Sequence, residues 1–183
     1  MKKKLIIATF GLASLNAYSA DVPVAIDTGT ITVKGSVYSS ACTFSGLAAT
    51  VAIPTTFTTD YSKGDMSPEG TSGPIMVMCP GVPDMGGVYI TVTGDADGTE
   101  PSLFKVADGT GKTTGVAIKL TAKSTFASAN VIDIIPNQES VIMPKSTSAN
   151  STGWYYLARA VAVDDKVTSG DLSTNLTWIA RYN

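Results

Sequence analysis

The chain has 183 residues, with 13 Lys and Arg against 15 Asp and Glu, two cysteines and no histidine. That is the length of one domain, and a 44% hydrophobic, 15% charged composition supplies a core without a strongly charged surface. A net charge of −2 offers no footing for nucleic acid or an anionic membrane. The lack of histidine removes Ser–His and Cys–His nucleophile pairs and histidine-based zinc or iron sites.

The first twenty residues read as an export signal. Lys2, Lys3 and Lys4 form a positive start, Leu5 to Leu15 an apolar run too short to span a bilayer, and Ala17, Ser19 and Ala20 a small-residue cut region. Cutting after Ser19 places Ala17 at the −3 position, and cutting after Ala20 places Tyr18 there. Removing three lysines leaves 10 positive against 15 negative side chains, a net of −5. No later segment has the unbroken apolar length of a membrane helix. Export to an oxidising compartment makes Cys42 and Cys79, the only two cysteines, a single structural disulfide. Closing that loop stabilises by roughly 4 kcal/mol in the chain-entropy model.

Beyond the signal, strand patterns follow one another with hardly a break. Gly29–Ser39 alternates, with Ile31, Val33, Gly35 and Val37 on one face and Thr30, Thr32, Lys34 and Ser36 on the other. Further runs rich in Val, Ile, Thr and Tyr are predicted at 49–53, 74–79, 88–93, 115–122, 131–135, 139–143, 154–163 and 175–182. Their spacing and the lack of a 3.6-residue stripe predict an all-β sandwich of one domain. A short helical turn is the most that 124–129 supports, and the Gly-, Ser-, Thr- and Asp-rich span 57–73 reads as a surface loop. Trp154, Tyr155 and Tyr156 are expected to pack on alternating faces.

Both ends of the mature chain are unusual. The N-terminal strand precedes the first cysteine, so it is either an edge strand of its own sheet or a strand offered to another molecule. Pattern alone favours pairing at home. At the other end Leu176, Trp178, Ala180 and Tyr182 line one face of a strand that runs to the penultimate residue. Its backbone must be paired with something.

Several motifs carry no chemistry. Gly109–Thr113 reads GTGKT, but Val106 stands where a phosphate-binding loop needs glycine and a strand follows instead of a helix. Asp95, Asp97 and Gly98 lack the remaining positions of a calcium loop and read as a turn. The carboxylate groups Asp164–Asp165 and Asp60, Asp65 and Glu69 read as solvated turns rather than a catalytic pair. No catalytic residue, metal site or cofactor is expected.

Taken together, GTITVKGSVYSSAC at 29–42, TGVAIKL at 114–120 and ARAVAVDDKVTSGDLSTNLTWIARYN at 158–183 resemble the structural pilins of chaperone–usher fimbriae, the type 1 fimbrial subunit family. Gly170 is fourteenth from the C-terminus, the apolar alternation follows at 176, 178 and 180, and Tyr182 is penultimate. Trp178 stands where the family more often has phenylalanine. The resemblance implies an incomplete immunoglobulin-like sandwich that lacks its last strand. It divides the chain into a signal at 1–20, a donor extension at 21–37 and a pilin domain at 38–183. The donor face would be Ile31, Val33, Gly35 and Val37, with Gly35 fitting a shallow pocket. The acceptor would be Gly170, Leu176, Trp178, Ala180 and Tyr182, the facing wall being left open. A periplasmic chaperone, an outer-membrane usher and other pilin subunits are the implied partners, and a fimbria on the bacterial surface the implied destination. A closed-sandwich secreted or periplasmic binding module is the alternative, and a small β-sandwich hydrolase a third reading. The N-terminal strand separates them, since in the last two it pairs within its own domain.

Overall fold

A computed structural model of the chain describes residues 29–37, 43–54, 61–78, 87–125, 131–143 and 151–182. The export signal, Cys42, Cys79 and most of the 124–129 turn lie outside the described residues.

Among the described residues twelve strands follow in order: β1 (Gly29–Val37), β2 (Thr43–Ser45), β3 (Ala48–Ile53), β4 (Gly70–Thr71), β5 (Ile75–Met78), β6 (Val88–Thr93), β7 (Phe104–Lys105), β8 (Val116–Ser124), β9 (Val131–Ile134), β10 (Glu139–Met143), β11 (Ser151–Ala162) and β12 (Ser173–Tyr182). All nine predicted runs appear as strands, and β2, β4 and β7 are additional. These three are two or three residues long, too short for alternation to reveal them.

The strands form two sheets. One has the order β10-β6-β12-β1-β3, and the other β2-β5-β11-β8-β7, with β4 beside β11 and β9 beside β8. In the second sheet the long β8–β11 pair, in register from Trp154↔Ser124 to Ala162↔Val116, is the spine. Shorter strands flank it end to end: β4 and β5 along β11, β7 and β9 along β8. Alternation explains the core between the layers. Ala49, Val51 and Ile53 of β3, Val88, Ile90 and Val92 of β6, and Leu176, Trp178 and Ala180 of β12 all point inward and are buried. From the opposite layer Ile118, Leu120, Trp154 and Tyr156 meet them. A second apolar group of Leu103, Ala117, Val161 and Val163 covers part of the outer face of β8 and β11.

Part of the span read as a surface loop is bound to β11. Ser67 N–H donates to Ala160 O and Ser72 N–H to Tyr156 O, both at 2.9 Å. In return Ala160 N–H donates to Ser67 Oγ at 3.0 Å and Tyr156 N–H to Ser72 Oγ at 2.9 Å. The two serine hydroxyls take the place of strand carbonyls where the segment departs from ladder geometry. Both serines are buried, which polarity alone could not reveal. GTGKT is likewise a turn with a structural task. Asp171 N–H donates to Gly111 O at 2.7 Å and Thr113 N–H to Asp171 O at 3.2 Å, so the turn clamps the segment leading into β12.

Ser67→Ala and Ser72→Ala each strand a buried backbone N–H and should destabilise by about 1–3 kcal/mol. Urea unfolding of each variant measures this. A change within error for both would show that water serves the N–H groups equally well.

Candidate functional site: the β1 slot

The sheet position between β12 and β3 is where the two unusual ends of the chain meet. β1 runs parallel to β12, from Thr30↔Ser173 to Val37↔Ala180, and antiparallel to β3, from Gly29↔Ile53 to Lys34↔Ala48. Two further bonds hold it beyond these ladders: Thr30 N–H donates to Leu172 O and Gly35 N–H to Leu47 O, each at 3.0 Å. Both edges of β1 are therefore bonded, and its inward face is covered. Ile31 and Val33 are fully buried. Burying two such side chains contributes on the order of 3–6 kcal/mol.

The structure places the named residues of β1 and β12 side by side and sets β3 on the other edge of β1. Val33 lies opposite Leu176, Gly35 opposite Trp178 and Val37 opposite Ala180. On the other side Ile31 faces Val51 and Val33 faces Ala49. The second wall is thus β3, with Ala49, Val51 and Ile53 inward. Its alternation was visible in the sequence; its adjacency was not. Tyr182 lies in β12 opposite Val88, and Gly170 precedes that strand.

Gly35 and Trp178 form the tightest fit in the slot. A Cβ built on Gly35 would fall within the indole, against Cε2, Cδ2 and Cζ2 of Trp178. The gap in the apolar face of β1 is thus filled from the partner strand, as the positional meaning of a strand glycine suggests. Trp178 also meets Trp154 edge-on, with centroids 5.6 Å apart, and Trp154 meets Tyr156 edge-on at 6.5 Å. The arrangement fixes the ring planes through quadrupole geometry. Trp154 Nε1, Tyr156 Oη and Trp178 Nε1 are all buried within it. Indole volume fills the space that Gly35 leaves. Gly170 permits a second close approach, since a Cβ there would meet the backbone of Gly111–Thr113. This residue serves the clamp at the start of β12 and does not line the slot.

The outward face of the same sheet carries an ion pair beside the exposed Val141 and Ile179. Arg181 pairs through both Nε and Nη2 with the Glu139 carboxylate and lies over the Tyr89 ring. The guanidinium holds the Glu139 carboxyl below its ordinary value. No group of three Asp, Glu, Cys or His side chains that could share a metal ion occurs among the described residues.

The family model described as fimbrial protein matches residues 31–183, from within β1 to the end of the chain. The chain belongs to the fimbrial protein family. A subunit of a fimbria is what that membership gives, and the two-layer β architecture agrees with it. Among solved structures, the crystal structure of a Burkholderia pseudomallei antigen and type I fimbria protein is similar at 19% identity. The alignment covers 86% of this chain and 97% of that one, with a TM-score of 0.44. No curated protein matches.

Two predictions follow from the aromatic cluster. Gly35→Ala should destabilise by about 1–3 kcal/mol through overpacking. The loss should shrink in a Trp178→Phe background, where the fused ring and its Cζ2 are gone; equal losses in both backgrounds would place the strain elsewhere. Burial pushes the Tyr156 phenol above the ordinary tyrosine value. The unfolded chain ionises this group near pH 10, roughly the model-peptide value, while the folded chain holds the proton to higher pH. Its contribution is complete below that pH and is lost as pH rises beyond it. Tyr156→Phe should therefore gain on the wild type as urea unfolding is moved from about pH 8 to about pH 11, and a constant gap would contradict the assignment.

Proposed function

We propose that the chain is a structural subunit of a surface fimbria that joins its neighbours by donor-strand exchange. In that joint the strand of one copy, Gly29–Val37, fills the slot between β12 and β3 of the next. The observation that carries the reading is the fit of β1 to this slot, and above all Gly35 seated against Trp178. Backbone ladders on both edges supply affinity, and Ile31, Val33 and Gly35 supply register, which is recognition by strand addition. Repeated from copy to copy the contact is heterologous and non-closing, and so builds a filament.

The remaining elements follow from this reading. The N-terminal signal exports the subunit through the periplasm, where a chaperone covers the slot until an outer-membrane usher guides exchange. An uncovered slot would expose apolar side chains and free strand edges, a known hazard for aggregation. Cys42 and Cys79 form the disulfide; their sequence neighbours Thr43 and Met78 are register partners in the β2–β5 ladder, which supports the pairing. The role is structural and contributes to adhesion, with no cofactor and no catalytic step.

The closed-sandwich module has one observation in its favour, the pairing of β1 within its own domain. A single copy offers the slot no other strand, so this pairing is common to both readings, and family membership favours the fimbrial one.

The two separate on an oxidised chain beginning at Tyr38, obtained with its chaperone or refolded. Its thiol titre under denaturant, expected to be nil, reports the disulfide. A peptide of residues 21–37 should raise its melting temperature by tens of degrees through linkage, and the Gly35→Trp peptide should not. A truncated chain already stable and indifferent to both peptides would establish the closed module.

A further inference from the structure

The outer face of the β8–β11 pair carries a groove lined by charges of both signs over an apolar floor. We propose that this groove binds a neutral saccharide of about two rings. The inference does not rest on strand exchange, because the groove lies on the layer that does not contain β1.

Its centre is a row of four charges running across the strands. Arg159 of β11 and Lys119 of β8 are direct register partners. Their neighbours Ala158, Ala160, Ile118 and Leu120 belong to the core, so alternation turns both cations outward. Like charges opposed in this way repel, and each is answered by a carboxylate from a flanking segment. Arg159 donates from Nε and Nη2 to Oε2 of Glu69, at 3.3 and 3.2 Å. Lys119 Nζ lies 3.3 Å from Oδ1 of Asp133. These pairs engage one oxygen of each carboxylate. They leave Glu69 Oε1 and Asp133 Oδ2 as acceptors, and further ammonium hydrogens on Lys119 as donors.

Around this row lies a hollow of about 190 Å³, lined also by Thr121, Leu157, Met66 and Val131. A second hollow of about 300 Å³ shares Met66, Lys119 and Asp133 with it and continues over Leu103 and Val161. Leu157, Leu103 and Val161 are buried and make the floor, whereas Met66 and Val131 stand 47% and 53% exposed at the rim. Both walls are pinned. On one side Gly64 N–H donates to Ala162 O at 2.8 Å and Ser67 N–H to Ala160 O at 2.9 Å. On the other, β9 is in register with β8 from Val131 to Ile134. The groove is therefore formed before a ligand arrives, as small-molecule sites usually are.

The lining selects the class of ligand. Two cations and two carboxylates sum to zero, so a sulfate or carboxylate would meet Glu69 and Asp133, and an ammonium would meet Lys119 and Arg159. Either juxtaposition of like charges is costly. A wholly apolar group would take water from four ionised side chains and return no hydrogen bond. A sugar ring answers each demand. Its hydroxyls donate to Oε1 and Oδ2 and accept from Lys119 and Thr121, and bonds to ionised groups are the stronger kind. Its C–H face covers Leu157 and the rim side chains Met66 and Val131. The adjoining hollow over Leu103 and Val161 receives a second ring.

The test titrates the oxidised chain from Asp21 to Asn183 with lactose, maltose and chitobiose, using saturation-transfer NMR and calorimetry. Sialylated and sulfated lactose serve as charged counterparts. At least one neutral disaccharide should bind with a dissociation constant of about 10 mM or tighter, and neither charged form should bind more tightly than lactose. Asp133→Asn and Glu69→Gln should each weaken binding roughly tenfold, the worth of a hydrogen bond to an ionised group. Both should keep the wild-type melt, since exposed ion pairs contribute little to stability. Glu139→Gln, on the outer face of the other sheet, should bind as the wild type does.

Absence of binding by all three neutral disaccharides would overturn the proposal, as would tighter binding of either charged form. Equal affinity in the wild type, Asp133→Asn and Glu69→Gln would place the sugar elsewhere and overturn it too. Sedimentation supplies a last check: self-association of the wild type that Met66→Glu abolishes, without sugar binding, would assign the groove to a second copy instead.

Discussion

A strand buried inside a sheet must be bonded on both edges and covered on its inner face, and β12 meets that demand only when something lies between it and β3. Burial of Leu176, Trp178 and Ala180 depends on this. So does the seating of Trp178 against Trp154, through which one layer touches the other. With β1 in place, the first sheet is continuous from β10 to β3. Without it the sheet divides into β10-β6-β12 and an isolated β3, and the aromatic cluster loses its cover. The architecture is thus organised around β1.

The aromatic cluster shows the form that organisation takes. Three polar atoms, Trp154 Nε1, Tyr156 Oη and Trp178 Nε1, are buried at the centre of the sandwich. Packing accounts for the residues chosen: the indole of Trp178 projects into the space that a side chain at position 35 would take. A strand bearing anything larger than glycine there cannot seat without displacing that ring. Shape at this register position therefore constrains the contact of β1 with β12 more tightly than the surrounding aliphatic contacts, which tolerate volume-conserving exchange.

Most of the fold was legible because strand alternation is a local property. Ile31 and Val33, Ala49, Val51 and Ile53, and Leu176, Trp178 and Ala180 all fall on the face that period two assigns them. What escaped notice depends on contacts between distant segments. Ser67 and Ser72 look like loop residues until β11 is brought beside them. GTGKT looks like a fragment of a nucleotide loop until Asp171 is seen bonded to Gly111. Gly170 belonged to the family pattern of the acceptor, yet its place is under that turn and not along the slot. The region 61–73 carries little strand pattern because β4 is only two residues long and the hydroxyls of Ser67 and Ser72 bond β11 on either side of it.

The sequence by itself determined the all-β class, the strand positions, the inward residues of β1 and β12 and the resemblance to fimbrial subunits. Each of these is written in local periodicity or in the order of short motifs. Only the tertiary structure decided that β3 is the second wall, that β1 runs parallel to β12 and that Gly35 meets Trp178. Pairing, direction and register are choices among strands far apart in the chain. Alternation says which face of a strand is buried and is the same whichever neighbour buries it; the choice of neighbour is made by the fit of side-chain volumes across the ladder.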